Sequence, residues 1–96
     1  MMPDFEYTME KLSDELSICV TKDHRFGTDA FLLSDFANIR RKDLACDLGT
    51  GCGIIPLLWF RDPNLAPKQA YGVDIQQLAV RQLTFTVEQA NLSERM

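Results

Sequence analysis

The chain has a single histidine, His24, and only three cysteines, Cys19, Cys46 and Cys52, with no CxxC pair among them. Soft ligands so few and so scattered argue against a structural zinc site, and the odd number of thiols argues against a complete disulfide framework. A reducing, cytoplasmic setting is expected, with no metal. Long hydrophobic runs are lacking too: the longest, Ile54 to Phe60, falls far short of the roughly 20 apolar residues that cross a bilayer. Met1-Met2-Pro3-Asp4 leads into acidic sequence rather than the basic and apolar regions of a signal peptide. Positive charge is scarce, with 10 Lys and Arg against 14 Asp and Glu and a net charge of −4. Phosphate backbones attract Lys and Arg, so the chain as a whole is not an electrostatic nucleic-acid binder. Its one basic cluster, Arg40-Arg41-Lys42, is expected to be a solvated loop.

What remains is an ordinary globular mixture, 46% hydrophobic and 25% charged over 96 residues, enough for one small domain. Leu16, Ile18 and Val20 alternate as in a half-buried strand, which is expected to pair in a small hairpin. After Gly27, Thr28 and Asp29 are good N-cap types. Leu32, Leu33, Phe36 and Ala37 then predict the apolar face of a helix ending near Asn38. Leu44-Ala45-Cys46 predicts a short strand buried on both faces. Ile54 to Arg61 predicts a helix with Pro56 in its first turn, where a missing N–H costs nothing. It carries Trp59 and Phe60 toward the sheet. Asp62-Pro63-Asn64 and Ala66-Pro67 break the chain. A strand over Ala70 to Val73 follows, then a helix to about Asn91 with the stripe Ala79, Leu83, Val87 and Ala90. Strand, helix, strand, helix implies α/β architecture with a parallel sheet.

Residues 44–56, LACDLGTGCGIIP, carry the chemistry. Gly49, Gly51 and Gly53 fall at alternate positions, a pattern not expected of core packing, and let a ligand approach the backbone closely. They lie at the carboxyl end of a strand, where open α/β sheets bind ligands, and the next helix offers N–H groups to an anion. The dinucleotide fingerprint G-x-G-x-x-G fails because position 54 is Ile, and no Gly-Lys-Ser/Thr follows for a phosphate loop. Asp47 sits just before the glycines, where it would repel a phosphate and attract an ammonium. Asp74 ends the next strand, where it can accept hydrogen bonds from two ribose hydroxyls, with Ile75 beside the base. A ligand with an amine, a carboxylate and an adenosine ribose is implied, and S-adenosylmethionine has all three.

Asp47-Leu48-Gly49-Thr50-Gly51-Cys52-Gly53, followed by Tyr71-Gly72-Val73-Asp74-Ile75, resembles motifs I and II of the class I (Rossmann-like) methyltransferases. Upstream, Arg25-Phe26-Gly27-Thr28-Asp29-Ala30-Phe31-Leu32-Leu33 resembles the G-T-D-x-x-L-L element of the small-domain branch, and in particular the tRNA1(Val) adenine N6-methyltransferase family. Gln76 to Ala79 and Glu88 to Leu92 are similar to that family's second helix. The resemblance implies the N-terminal part of a Rossmann-like methyltransferase sheet, two parallel strand-helix units preceded by a short β-hairpin and a helix. Residues 1–27 would form an N-terminal extension with the hairpin, and residues 28–96 a partial methyltransferase domain. It also implies S-adenosylmethionine as cofactor, with Thr28 and Asp29 beside its methionyl end and Asp47, Gly49, Thr50, Gly51, Gly53, Asp74 and Ile75 around the rest.

Members that act on exocyclic amines carry an Asn-Pro-Pro-Tyr type element that holds the amine in line with the sulfonium methyl. No such tetrapeptide occurs here, so no catalytic residue is assigned and the target-amine site is expected beyond Met96. On the resemblance, the full-length enzyme would act on tRNA, and the 96-residue segment would be inactive. It would be either marginally stable or self-associated through the open edge of Leu44-Ala45-Cys46. The same motifs serve relatives that methylate rRNA guanine or protein glutamine, and a truncated, non-catalytic remnant would also retain them.

Overall fold

A computed structural model describes residues 3–96. Strands β1 (Thr8–Lys11) and β2 (Ser17–Val20) form an antiparallel hairpin in which Thr8 pairs with Val20 and Lys11 with Ser17. The turn closes where Leu12 and Ser13 both donate their N–H to Leu16 O, at 2.8 and 3.1 Å. The hairpin was expected, but the alternation was not kept. Cys19 is as fully buried as Ile18, because a helix lies along the strand on its other side.

Helix α1 (Asp29–Phe36) stops at Asn38, whose φ of 52° turns the backbone left-handed, as Asn tolerates after a helix. Its start differs from the expectation, since Thr28 is already helical and makes no capping bond from its side chain. Its apolar face is also corrected. Ala30 and Ser34 are buried while Leu32, Leu33 and Phe36 face solvent, Phe36 being 87% exposed. Small residues let α1 lie close to the following helix, and no described element covers the larger ones. Arg40-Arg41-Lys42 forms an exposed turn, closed by a 2.8 Å bond from Arg40 N–H to the Asp43 carboxylate.

Strands β3 (Leu44–Leu48) and β4 (Gln69–Val73) pair in parallel, Leu44 with Gln69 through Leu48 with Val73. Helix α2 (Ile54–Trp59) crosses between them, with Pro56 in its first turn, and a final i→i+3 turn carries the coil to Arg61. Trp59 and Phe60 pack on Ala45 and Ala70, so they face the sheet as the sequence implied. The other face of β3 corrects the expectation of a strand buried on both sides, because Leu44 is 71% and Leu48 79% exposed and Tyr71 and Val73 beside them are bare as well. Among the described residues this sheet has two strands, and its face carrying Ala45, Ala70 and Gly72 is covered by α2 and by Leu83 of the helix that follows.

Helix α3 (Gln77–Gln89) buries Ala79, Leu83 and Val87 as expected, and buries Gln82 and Thr86 as well. These two polar residues, one turn apart, act as a partner for β2. Cys19 N–H donates to Thr86 Oγ1 at 2.8 Å, the Thr21 hydroxyl donates to Gln82 Oε1 at 2.8 Å, and Gln82 Nε2 donates to the carbonyls of Cys19 and His24. Each buried polar group on these side chains thereby finds a partner, as burial demands. The helix ends in a Schellman arrangement at Asn91 (φ 58°), with Leu92 N–H donating to Val87 O and Asn91 N–H to Glu88 O. One cluster then joins Leu16, Ile18 and Val20 to Ala30, Cys52, Ile54, Leu57, Leu83 and Val87. That core supports the glycine loop from below.

Candidate functional site

Register builds the site. Because Leu48 pairs with Val73, the next residues, Gly49 and Asp74, leave the sheet side by side. The loop then folds onto the neighbouring strand end: Gly49 and Thr50 donate their N–H groups to Val73 O at 2.7 and 2.9 Å, and Gly53 N–H donates to Thr50 O at 2.9 Å. Gly51 N–H donates to Asp74 Oδ2 at 3.0 Å, and Gln76 N–H to Asp74 Oδ1 at 2.9 Å.

The glycines divide into two kinds. Gly49 and Gly51 have φ of 71° and 58°, which only glycine adopts at little cost, and a Cβ on either would meet nothing within 4 Å. Both are open to a ligand. Gly53 has φ of 89° and is packed against Leu83, so a Cβ there would strike the leucine. The expectation that none of the glycines serves packing is therefore corrected for Gly53. Gly72 on β4 behaves likewise, since its Cβ would lie 2.6 Å from Leu83 Cδ2 and 3.0 Å from Thr50 Cγ2.

Asp47 and Asp74 flank this loop, and their surroundings shift the two carboxyls in opposite directions. Burial pushes the Asp47 carboxyl above the ordinary range, opposed by the Thr50 hydroxyl. Asp74 is held below the ordinary range by the Gln76 N–H first and the Gly51 N–H second, with a further contribution from the His24 imidazole. His24 lies on the turn after β2. It is half-buried, and its backbone carbonyl accepts a hydrogen bond from Gln82 of α3. No sequence signal could show this, because His24 and Gln82 are 58 residues apart.

Thr50 is buried with its hydroxyl lacking a hydrogen bond of good geometry, close to Asp47. Ile75 is wholly exposed and free to lie against a ligand. Thr28 and Asp29 precede Ala30, which shares a core with Cys52 and Ile54. Their side chains make no hydrogen bond to the loop among the described residues. A recess of about 390 Å³ between β4 and α3 is lined by Thr50, Val73, Leu83 and Val87, with neither Asp47 nor Asp74 in its wall. The carboxylates thus border the open rim rather than that apolar hollow. Among the described residues no cluster of His, Cys, Asp and Glu could hold a metal ion, and no helix is long and apolar enough to cross a membrane.

A search of curated proteins finds the tRNA1(Val) (adenine(37)-N6)-methyltransferase of Histophilus somni (strain 2336), 34% identical over 86 residues, which is 88% of this chain. Over those residues the chain is similar to that methyltransferase. This bears out the resemblance carried by Asp47 to Gly53 and Tyr71 to Ile75. The chain spans about a third of the relative's length, 34% of it. No protein-family model matches the chain.

Proposed function

We propose that this chain is the cofactor-binding part of a Rossmann-like methyltransferase and that it binds S-adenosylmethionine at the carboxyl ends of β3 and β4. The observation that carries this reading is the direction of the loop's donors. The N–H groups of Gly49, Thr50, Gly51 and Gly53 are all engaged within the protein. A phosphate-binding loop needs those donors free, whereas here two carboxylates flank a bare backbone. An acceptor-rich site of this kind suits a ligand that brings an ammonium, a sulfonium and hydroxyl groups.

The residues fit the group. Asp47 would hold the amine, and an incoming cation would favour its ionised form against the effect of burial. Asp74 would accept the ribose hydroxyls. Gly49 and Gly51 would leave room for the body of the ligand with Thr50 and Gly53 shaping the turn, Ile75 would lie against the base, and Thr28 and Asp29 would face the methionyl end. When bound, the cofactor supplies an electrophilic methyl group on a sulfonium. This chain's own part is to bind and orient it, and to keep phosphate ligands out by charge.

By analogy with the relative's name, the acceptor proposed for the whole enzyme is an adenine amine of tRNA in a cytoplasmic setting. Methylation of rRNA guanine or protein glutamine, or a non-catalytic remnant, would use the same cofactor motifs. The bare β3 edge is also proposed to mediate association between copies. Titration calorimetry with S-adenosylhomocysteine, NAD and ATP tests the cofactor reading. Heat of binding with the first alone is expected, and preference for either phosphate-bearing ligand would overturn it.

A further inference from the structure

We propose that Asp74 is a positioning residue as well as a ligand acceptor: its carboxylate clasps the glycine loop, through Gly51 N–H, to the start of α3, through Gln76 N–H. The two bonds fall on different oxygens, Oδ2 to Gly51 at 3.0 Å and Oδ1 to Gln76 at 2.9 Å. Of the loop amides with a partner, Gly51 is the one held by a side chain; Gly49 and Thr50 rest on Val73 O and Gly53 on Thr50 O. Gly51 also lacks any neighbour that would brace its left-handed turn sterically. A carboxylate from the next strand end therefore holds this part of the loop.

The clasp and the ligand can coexist. An ionised carboxylate offers about four lone-pair sites over its two oxygens, and the two backbone bonds use one on each. One site per oxygen is left, the arrangement that a pair of adjacent hydroxyls can meet. The same group would thus preset the loop and read the diol, so ligand binding would tighten the clasp instead of displacing it. The ligand half of this statement rests on the cofactor reading; the clasp itself does not.

Amide hydrogen exchange measured residue by residue by NMR separates the two. In Asp74→Ala the Gly51 amide is expected to exchange roughly ten- to a hundredfold faster, as for loss of a charge-assisted hydrogen bond. Gly49 and Thr50, on Val73 O, should change little, and Cys19, on Thr86, reports that the fold is intact. Asp74→Asn retains one carbonyl oxygen and should protect Gly51 or Gln76 but not both. Unchanged Gly51 exchange in both variants, with Cys19 still protected, overturns the clasp. If wild type fails to bind S-adenosylhomocysteine yet Gly51 loosens in Asp74→Ala, the clasp stands and the cofactor reading falls. If wild type binds and Gly51 is indifferent to Asp74, the reverse holds.

Discussion

Leu83 occupies the space that a side chain on Gly53 would need. A residue of the glycine motif is thereby coupled to a core residue of α3, and the glycine loop cannot be altered at Gly53 without disturbing the core. Gly53→Ala should lose about 1–3 kcal/mol from left-handed strain and overpacking. Combined with Leu83→Ala, the loss should be less than the sum of the two, because the shortened side chain vacates the site. Urea melts of the four proteins in the cycle measure the coupling, and strict additivity would remove it.

Gly51 behaves differently, since a Cβ there meets only open space. Gly51→Val should lower stability by about 1–2 kcal/mol for the left-handed backbone alone and leave circular dichroism nearly unchanged. Binding of S-adenosylhomocysteine should disappear. Retained binding would mean that the ligand does not approach the loop at this point.

The Asp47 carboxyl is held above its unfolded range by burial. For an acid with a raised folded-state value, ionisation favours the unfolded chain, so its contribution to stability is present below the unfolded range near pH 4 and is lost as pH rises through the folded value. Asp47→Asn should therefore raise the melting temperature at pH 7 by on the order of a few degrees, with the gain shrinking toward pH 4. Cofactor affinity should fall in the same variant. A melting temperature that drops at pH 7 would show that the carboxylate already has a cationic partner in the free protein.

Thr86 and Gln82 supply the hydrogen bonds that β2 would otherwise take from another strand. Thr86→Val conserves shape but leaves the Cys19 N–H buried without a partner, which should cost about 1–3 kcal/mol. Gln82→Leu strands the Thr21 hydroxyl and two carbonyls and should cost more. A melt showing Thr86→Val as stable as wild type would mean that water reaches Cys19 N–H.

The bare face carrying Leu44 and Leu48 and the unpaired edge of β3 should make the 96-residue chain associate. Light scattering is expected to give a mass above that of the monomer, and Leu44→Lys with Leu48→Lys to reduce it, as charge on an edge strand does. A wild-type monomer at high concentration would show that this surface is harmless.

Local signals were legible and long-range ones were not. The glycine motif, the acid ending the next strand, the helix stop at Asn38 and the stripe of α3 each depend on neighbours within a few residues, and all could be read from sequence. The hairpin was also read, but not that Cys19 would be covered, because Thr86 lies 67 residues away. Leu32, Leu33 and Phe36 were assigned to the core by spacing alone. Burial follows from what lies opposite, and there nothing described does. That the loop amides turn inward was not read, because Val73 O and Asp74 lie beside them through register, which no single segment encodes.

The tie between β2 and α3 also bears on the order of folding. Its bonds span 58 to 67 residues of chain, so closing them costs more loop entropy than any contact inside the hairpin or between β3 and β4. The hairpin would therefore dock last, onto an α3 already formed, and its attachment would be absent from the rate-limiting barrier. Substitutions at Gln82 and Thr86 should then act mainly as accelerators of unfolding, leaving the refolding rate almost untouched.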